Sequence, residues 1–243
     1  LWVYAYGTPD PLDPEGNRGL AVRGIKRSIW VNSSGERFHN ELFGGGATGT
    51  PALLNQSPPT AWAIIDSLMA QSVEIADPQY KDGDRVIPRK VLELLENSAY
   101  IKKSSTVKGL ATSIGVDENK LCETVDKYNS YIRDGFSEDP DFGKRLESMI
   151  EINRAPFYAV QFFPTTRKNL GGVSTDLKCR VLTRQRDPIQ SLYAAGEVAG
   201  MAGGHINGNV ALEGTMLGPS IFSGRVAGAW AAFELGFGDG YTG

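Results

Sequence analysis

The residues with the clearest chemical potential in this 243-residue sequence lie between Pro188 and Gly228. A short apolar run, Leu192-Tyr193-Ala194-Ala195, ends in Gly196-Glu197 and leads into a loop containing Gly200, Gly203, Gly204 and Gly208. The run has the length of a buried strand and is too short for a stable isolated helix. A helical pattern follows from Glu213-Gly214-Thr215, with Thr215 as N-cap and Pro219 in the first turn. Glycines let backbone lie close to a flat or phosphorylated group. A carboxylate at Glu197 can accept hydrogen bonds from ribose or ribityl hydroxyls, and a helix start offers unpaired N–H groups and partial positive charge. Strand, acidic tip, glycine loop and helix start together predict a nucleotide cofactor at the carboxyl end of an α/β sheet. Close packing of a glycine-rich turn against a small-residue helix leaves the same pattern.

The phrase LYAAGEVAG…GH…ALEGTMLGPSIFSGRVAGAWAA resembles the C-terminal flavin-binding segment of FAD-dependent dehydrogenases. That group contains soluble fumarate reductases, succinate dehydrogenase flavoproteins and 3-ketosteroid dehydrogenases. Three earlier stretches are similar to the same family: VRGIKRSIWVNSSGERFHNE, TVKGLATSIGVDENKLCETVDKYNSYIRDG, and PFYAVQ with GGVSTD. The resemblance implies FAD as cofactor. It implies that the helix start at Thr215, with the backbone of Met216 and Leu217, lies at the pyrimidine edge of the flavin. By the same likeness Glu197 binds a sugar or ribityl hydroxyl, and Gly171, Gly172 and Gly196 allow close approach to the isoalloxazine.

Flavin chemistry also asks the protein for a proton donor or acceptor, and here the sequence departs from the family pattern. The position matching the proton-donor arginine of fumarate reductases is Gly45. Lys168 replaces a histidine ahead of Gly171-Gly172, and His205 is followed by Ile206-Asn207-Gly208-Asn209 without the family's arginine. Arg23 matches an arginine of the proton-relay region, but the acid before it has become Leu20. A C4 dicarboxylate is therefore not the expected substrate. Lys168 or His205 could polarise a carbonyl, so an enone or enoate fits better, and Lys168, His205 and Arg23 are the catalytic candidates. A hydrogen-bonded loop histidine beside the cofactor is an equal reading of His205.

Several elements must position these groups. Residues 1–19, rich in Gly and Pro, read as an irregular connection, and Ser28 to Phe38 as a hairpin turning at Asn32-Ser33-Ser34-Gly35. Trp62 to Asp66 reads as a buried strand or as one face of a helix, of which the family resemblance implies the strand, and Asp77 to Ile87 reads as a loop. Pro88 opens an amphipathic helix carrying Val91, Leu92, Leu94 and Leu95. Val107, Leu110, Ala111 and Ile114 mark a helix stopped by Gly115; Asp117 caps a second, faced by Leu121, Val125, Tyr128 and Ile132. Phe157 to Phe163 is aromatic and β-prone, and a hairpin follows around Cys179 to Leu182.

The expected fold class is mixed α+β and α/β. Residues 1–155 form a substrate-capping domain, and residues 156–243 the C-terminal part of a Rossmann-like FAD-binding domain lacking its N-terminal βαβ unit. The chain begins at Leu1 and no G-x-G-x-x-G follows a strand, so a longer protein with a missing N-terminal flavin segment is expected.

The formal charge of −3 argues against a nucleic-acid partner, and 41% hydrophobic content supports a core. No apolar run approaches the ~18 residues of a membrane span. Cys122 and Cys179 have no metal-ligand spacing and read as buried, reduced thiols, fitting a reducing, cytoplasmic setting. The expectation is a flavin-dependent oxidoreductase acting on a small-molecule substrate, its electron partner unspecified. The alternative is a non-catalytic binding or interaction fragment without flavin.

Overall fold

The computed structural model describes residues 5–13, 15, 18–43, 49–165, 172–200 and 217–238. These fall into two compact units, one over Ala5–Thr165 and one after Thr165.

The larger unit is built on a six-stranded antiparallel sheet. In chain order its first elements are β1 (Ala5–Pro9), β2 (Gly19–Leu20), β3 (Val22–Arg23), β4 (Ile29–Val31), α1 (Gly49–Leu54), β5 (Ala61–Ile65) and α2 (Ser67–Ala70). They are followed by β6 (Glu74–Ile75), β7 (Lys81–Asp82), β8 (Arg85–Val86), α3 (Pro88–Asn97), β9 (Ile101–Ser104), α4 (Val107–Ile114), α5 (Glu118–Arg133) and β10 (Phe157–Thr165). The main sheet runs β2-β1-β10-β5-β4, with β9 also paired to β10. β10 has β5 along one edge, from Tyr158↔Ile65 to Phe162↔Ala61. Its other edge takes β9 and then β1. All five residues of β5 are buried, as expected for a strand covered on both faces.

The helices form where local signals place them. Pro88 opens α3, whose buried face is Val91, Leu94 and Leu95, whereas Leu92 faces water. Thr106 caps α4 by accepting from the Gly109 N–H, and Gly115 ends it in the left-handed region. Asp117 caps α5 by accepting from the Lys120 N–H, and Leu121, Val125 and Tyr128 are buried beneath it. Ile132 is only half-buried.

Some expectations need correction. The first residues are not all irregular: Ala5–Pro9 is a strand, held by pairing with β10 and by Tyr6, whose ring lies 4.8 Å from Trp30 and 5.1 Å from Phe162. The hairpin after Ser28 keeps its turn but shrinks to one bridge, Val31↔Arg37, and the Arg37 side chain enters a buried ion cluster. The loop after Asp77 contains the two-residue pair β7–β8. The compact units part at Thr165, after β10, which hydrogen-bonds to three strands of the larger unit; the functional boundary at residues 155 and 156 is a separate matter of domain role.

The second unit holds β11 (Arg180–Leu182), β12 (Pro188–Tyr193) and α6 (Leu217–Glu234). β11 and β12 form an antiparallel ribbon. The expected buried strand at Leu192 is mostly exposed, with Ala194 the buried position, since among the described residues β12 has a single neighbouring strand. α6 exposes Leu217, Ile221, Phe222 and Phe233 and buries only Val226. The start expected for it at Glu213 to Thr215 lies outside the described residues. No described helix is long and apolar enough to cross a membrane. Both cysteines are free; Cys179 is buried and Cys122 half-buried.

Candidate functional site

In the smaller unit the chain leaves β12 through Ala194, whose N–H donates to the Cys179 carbonyl at 3.0 Å. Gly196 then takes φ +69°, a conformation that a Cβ makes costly. Its N–H donates to the Oγ of Ser223 at 2.9 Å, and that hydroxyl donates in turn to the Pro219 carbonyl at 2.7 Å. The strand tip is thereby fastened to α6 within two turns of its start. Ser220, in the first turn, lies 3.6 Å from where a Cβ on Gly196 would stand.

Glu197 follows in a 3-10 turn, Gly196–Ala199, closed by the Gly200 N–H donating to the Glu197 carbonyl at 3.0 Å. Its side chain is exposed and makes no hydrogen bond or ion pair among the described residues. The carboxylate is therefore free to accept from a ligand. Gly172 packs behind this turn: a Cβ there would stand 2.1 Å from the Gly200 nitrogen and 2.4 Å from the Val198 carbonyl oxygen. The neighbouring Val173 N–H donates to that same carbonyl at 2.8 Å. What needs glycine at position 172 is thus the backbone carrying Glu197. Leu217, exposed, is the first described residue of α6.

The base of the ribbon is set by Asp176. It accepts from the Arg180 Nε at 2.8 Å and from the backbone N–H groups of Lys178 and Arg180 at 2.9 Å each. Burial pushes the Asp176 pKa upward, but Arg180 and these N–H groups outweigh it and hold the carboxyl below its usual value.

The structure thus brings Gly172, Gly196 and Glu197 together with the start of α6. Lys168, Gly171, His205, Thr215 and Met216 lie outside the described residues. Arg23 lies in the larger unit, on β3, opposite Glu74 of β6. It is exposed and has no hydrogen bond or ion pair among the described residues.

Sequence reasoning missed a buried charge cluster in the larger unit. Arg37 forms a two-pronged pair with Glu41, with both N···O distances 2.9 Å, and reaches Asp139 at 2.9 Å. Lys144 is fully buried; its Nζ donates to the Ser28 carbonyl at 2.6 Å and lies 3.2 Å from Glu41. The Arg37 guanidinium and the Lys144 ammonium stand 5.1 and 5.0 Å from the centroid of the Tyr128 ring. Burial opposes ionisation of Glu41, but Lys144 and Arg37 overcome it and hold its pKa below the usual range. Asp139 is lowered in the same way, with Arg37 overcoming burial. Burial lowers the Lys144 pKa. The four-residue spacing of Arg37 and Glu41 was a visible signal; the other two members come from more than a hundred residues away. The glycine run Gly44 to Gly49 has G-x-G-x-x-G spacing, but a 3-10 turn, Glu41–Phe43, precedes it instead of a strand.

An exposed carboxylate with no partner among the described residues, beside α6, suits a ligand that carries sugar hydroxyls, as FAD does. Fold and site define a mixed α/β protein that binds a nucleotide cofactor. The chain belongs to the FAD binding domain family, which it matches over residues 9–217, and its cofactor is FAD. It is 30% identical to a KsdD-like steroid dehydrogenase of Mycobacterium tuberculosis over 279 aligned positions, covering 97% of this chain and 49% of that protein. It is 33% identical to a probable fumarate reductase of Shewanella frigidimarina, covering 95% of this chain and 35% of that protein. Among solved structures, an open conformation of a flavocytochrome c3 fumarate reductase superposes with a TM-score of 0.63 at 30% identity, over 95% of this chain and 36% of that one. The chain spans about half the length, or less, of these curated relatives.

Proposed function

We propose that the chain is part of a flavin-dependent oxidoreductase that exchanges a hydride between N5 of FAD and a carbon–carbon bond beside a carbonyl or carboxylate. An enone or enoate is the substrate class. When bound, FAD supplies a ring that takes up or releases two electrons. The carrying observation is the exposed Glu197 carboxylate, without a partner among the described residues, on a strand tip fastened to α6. Relatives named for steroid dehydrogenation and fumarate reduction support a carbon–carbon bond as the reacting group.

On this reading Glu197 accepts from a ribose or ribityl hydroxyl. First-turn N–H groups of α6, those of Met216 and Leu217 among them, face negative charge at the pyrimidine edge. Gly196 and Gly171 admit the ring, while Gly172 makes room for the Val198–Gly200 backbone that carries Glu197. Lys168 and His205 polarise the substrate carbonyl, and Arg23 moves a proton. The larger unit serves as the substrate-capping domain, and the smaller as the C-terminal part of a Rossmann-like flavin domain. Relatives about twice this length or more support a further segment that carries the first βαβ unit and grips the pyrophosphate. The 243 residues alone are then inactive. Two free thiols agree with a cytoplasmic setting.

The test is native purification of the whole protein followed by anaerobic reduction and re-oxidation with a panel of enones and enoates. A yellow protein whose reduced form one of these re-oxidises is expected. A colourless protein, with residues 191–220 showing no added hydrogen-exchange protection when FAD is supplied, overturns the reading and leaves a non-catalytic interaction fragment.

A further inference from the structure

The larger unit contains a cleft of about 520 Å³, walled by α2, the turn that follows it, β8 and α3. Its buried lining is the Tyr158 ring with Val73, Val91 and Leu95, each 3–4% exposed. Ala70 and Val86, half-buried, stand among its walls. The volume lies in the ~300–1,000 Å³ range of small-molecule sites.

Four polar side chains of the wall are bonded within the protein, whereas those of Gln71 and Glu74, both exposed, make no hydrogen bond or ion pair among the described residues. Ser67 Oγ donates to the Arg154 carbonyl at 3.1 Å and Ser72 Oγ to the Met69 carbonyl at 2.8 Å. The Tyr158 hydroxyl donates to Glu96 at 3.0 Å, and Arg89 donates to Glu93 at 2.9 Å. Glu74 is exposed, and its cross-strand neighbour is Arg23. Arg89 is thus neutralised by Glu93, and Glu74, on the exposed rim, has no ion pair among the described residues, so no unpaired cation lines the cleft. An anionic ligand would lose hydration on entry and meet the Glu74 carboxylate without gaining a cationic partner, and the buried lining offers no charge at all.

We infer that this cleft binds an uncharged, apolar small molecule, held by removal of its hydrocarbon surface from water. None of the residues proposed to hold FAD takes part, so the inference stands apart from the flavin reading.

The test titrates the full 243-residue chain with straight-chain alcohols from butanol to octanol, read by methyl NMR shifts of Val73, Val91 and Leu95. Each added methylene should tighten binding about fourfold. Carboxylates of the same lengths should bind at least about tenfold more weakly. Ala70→Trp and Val86→Trp, which fill the cleft from its half-buried walls, should abolish the shifts, and Glu74→Gln should leave them unchanged. Affinity that does not rise with chain length, carboxylates that bind as tightly as alcohols, or shifts that persist in the folded filling variants would each overturn the inference. The two ligand series decide the matter on the native chain if a filling variant does not fold.

Discussion

The N–H of Gly196 donates to the Oγ of Ser223 at 2.9 Å, so the strand tip that presents Glu197 is fastened to the helix whose start it faces. Ser223→Ala removes the acceptor and leaves a partly buried N–H unpaired, at a cost of about 1–3 kcal/mol. FAD binding by the whole protein should weaken accordingly, and Ser223→Thr should restore most of it. Flavin titration alongside urea unfolding separates loss of affinity from loss of fold.

Glu197 has no partner among the described residues, so its substitution should cost binding and not stability. Hydrogen bonds to an ionised group contribute about 1.5–3 kcal/mol, which corresponds to FAD binding weakened roughly 10- to 150-fold in Glu197→Ala. Absorbance titration of the whole protein measures this. An unchanged affinity removes Glu197 from the site.

At Gly172 the prediction is steric. A methyl group there would stand 2.1 Å from the Gly200 nitrogen, and backbone cannot give way as a flexible side chain can. Gly172→Ala should destabilise the smaller unit by about 1–3 kcal/mol or more and displace the turn bearing Glu197. Thermal melting and flavin affinity should fall together.

The ion cluster predicts acid sensitivity of the larger unit. Glu41 and Asp139 have folded pKa values held below their unfolded ones. Their stabilisation is therefore complete above the ordinary carboxylate range, near pH ~4, and is lost as pH falls through the lower folded values. Arg37→Ala leaves both carboxylates short of a buried partner and should cost about 3–5 kcal/mol at neutral pH. Denaturant unfolding between neutral and acid pH should show the gap between native and variant narrowing on acidification.

Ala5–Thr165 should fold when produced alone. Its sheet, helices and one continuous apolar cluster from Leu20 to Phe162 lie within those residues. Circular dichroism should show a single cooperative transition. A molten product without one would mean that the second unit is needed for folding.

Helices α3, α4 and α5 were legible because their signals are local. Thr106 and Asp117 cap within three residues of their own positions, and Val91, Leu94 and Leu95 share a face by spacing alone. β1 was not legible, since a five-residue stretch containing Gly7 and Pro9 becomes a strand only by meeting Thr165 and its neighbours. Nor was the reason for Gly172: its glycine requirement reads from the sequence as room for a ligand, while the contact itself is with Val198 and Gly200.

The amino-acid order by itself determined the family, the cofactor, the acidic residue at Glu197 and helices α3 to α5, because each rests on residues adjacent in the chain or on a linear phrase. Tertiary structure alone decided which strands pair, which side of β12 meets water, that Arg37 would find Asp139, and that an apolar cleft would open beside Tyr158. Those outcomes depend on surfaces that exist only once residues far apart in sequence have been brought together. No local spacing encodes them.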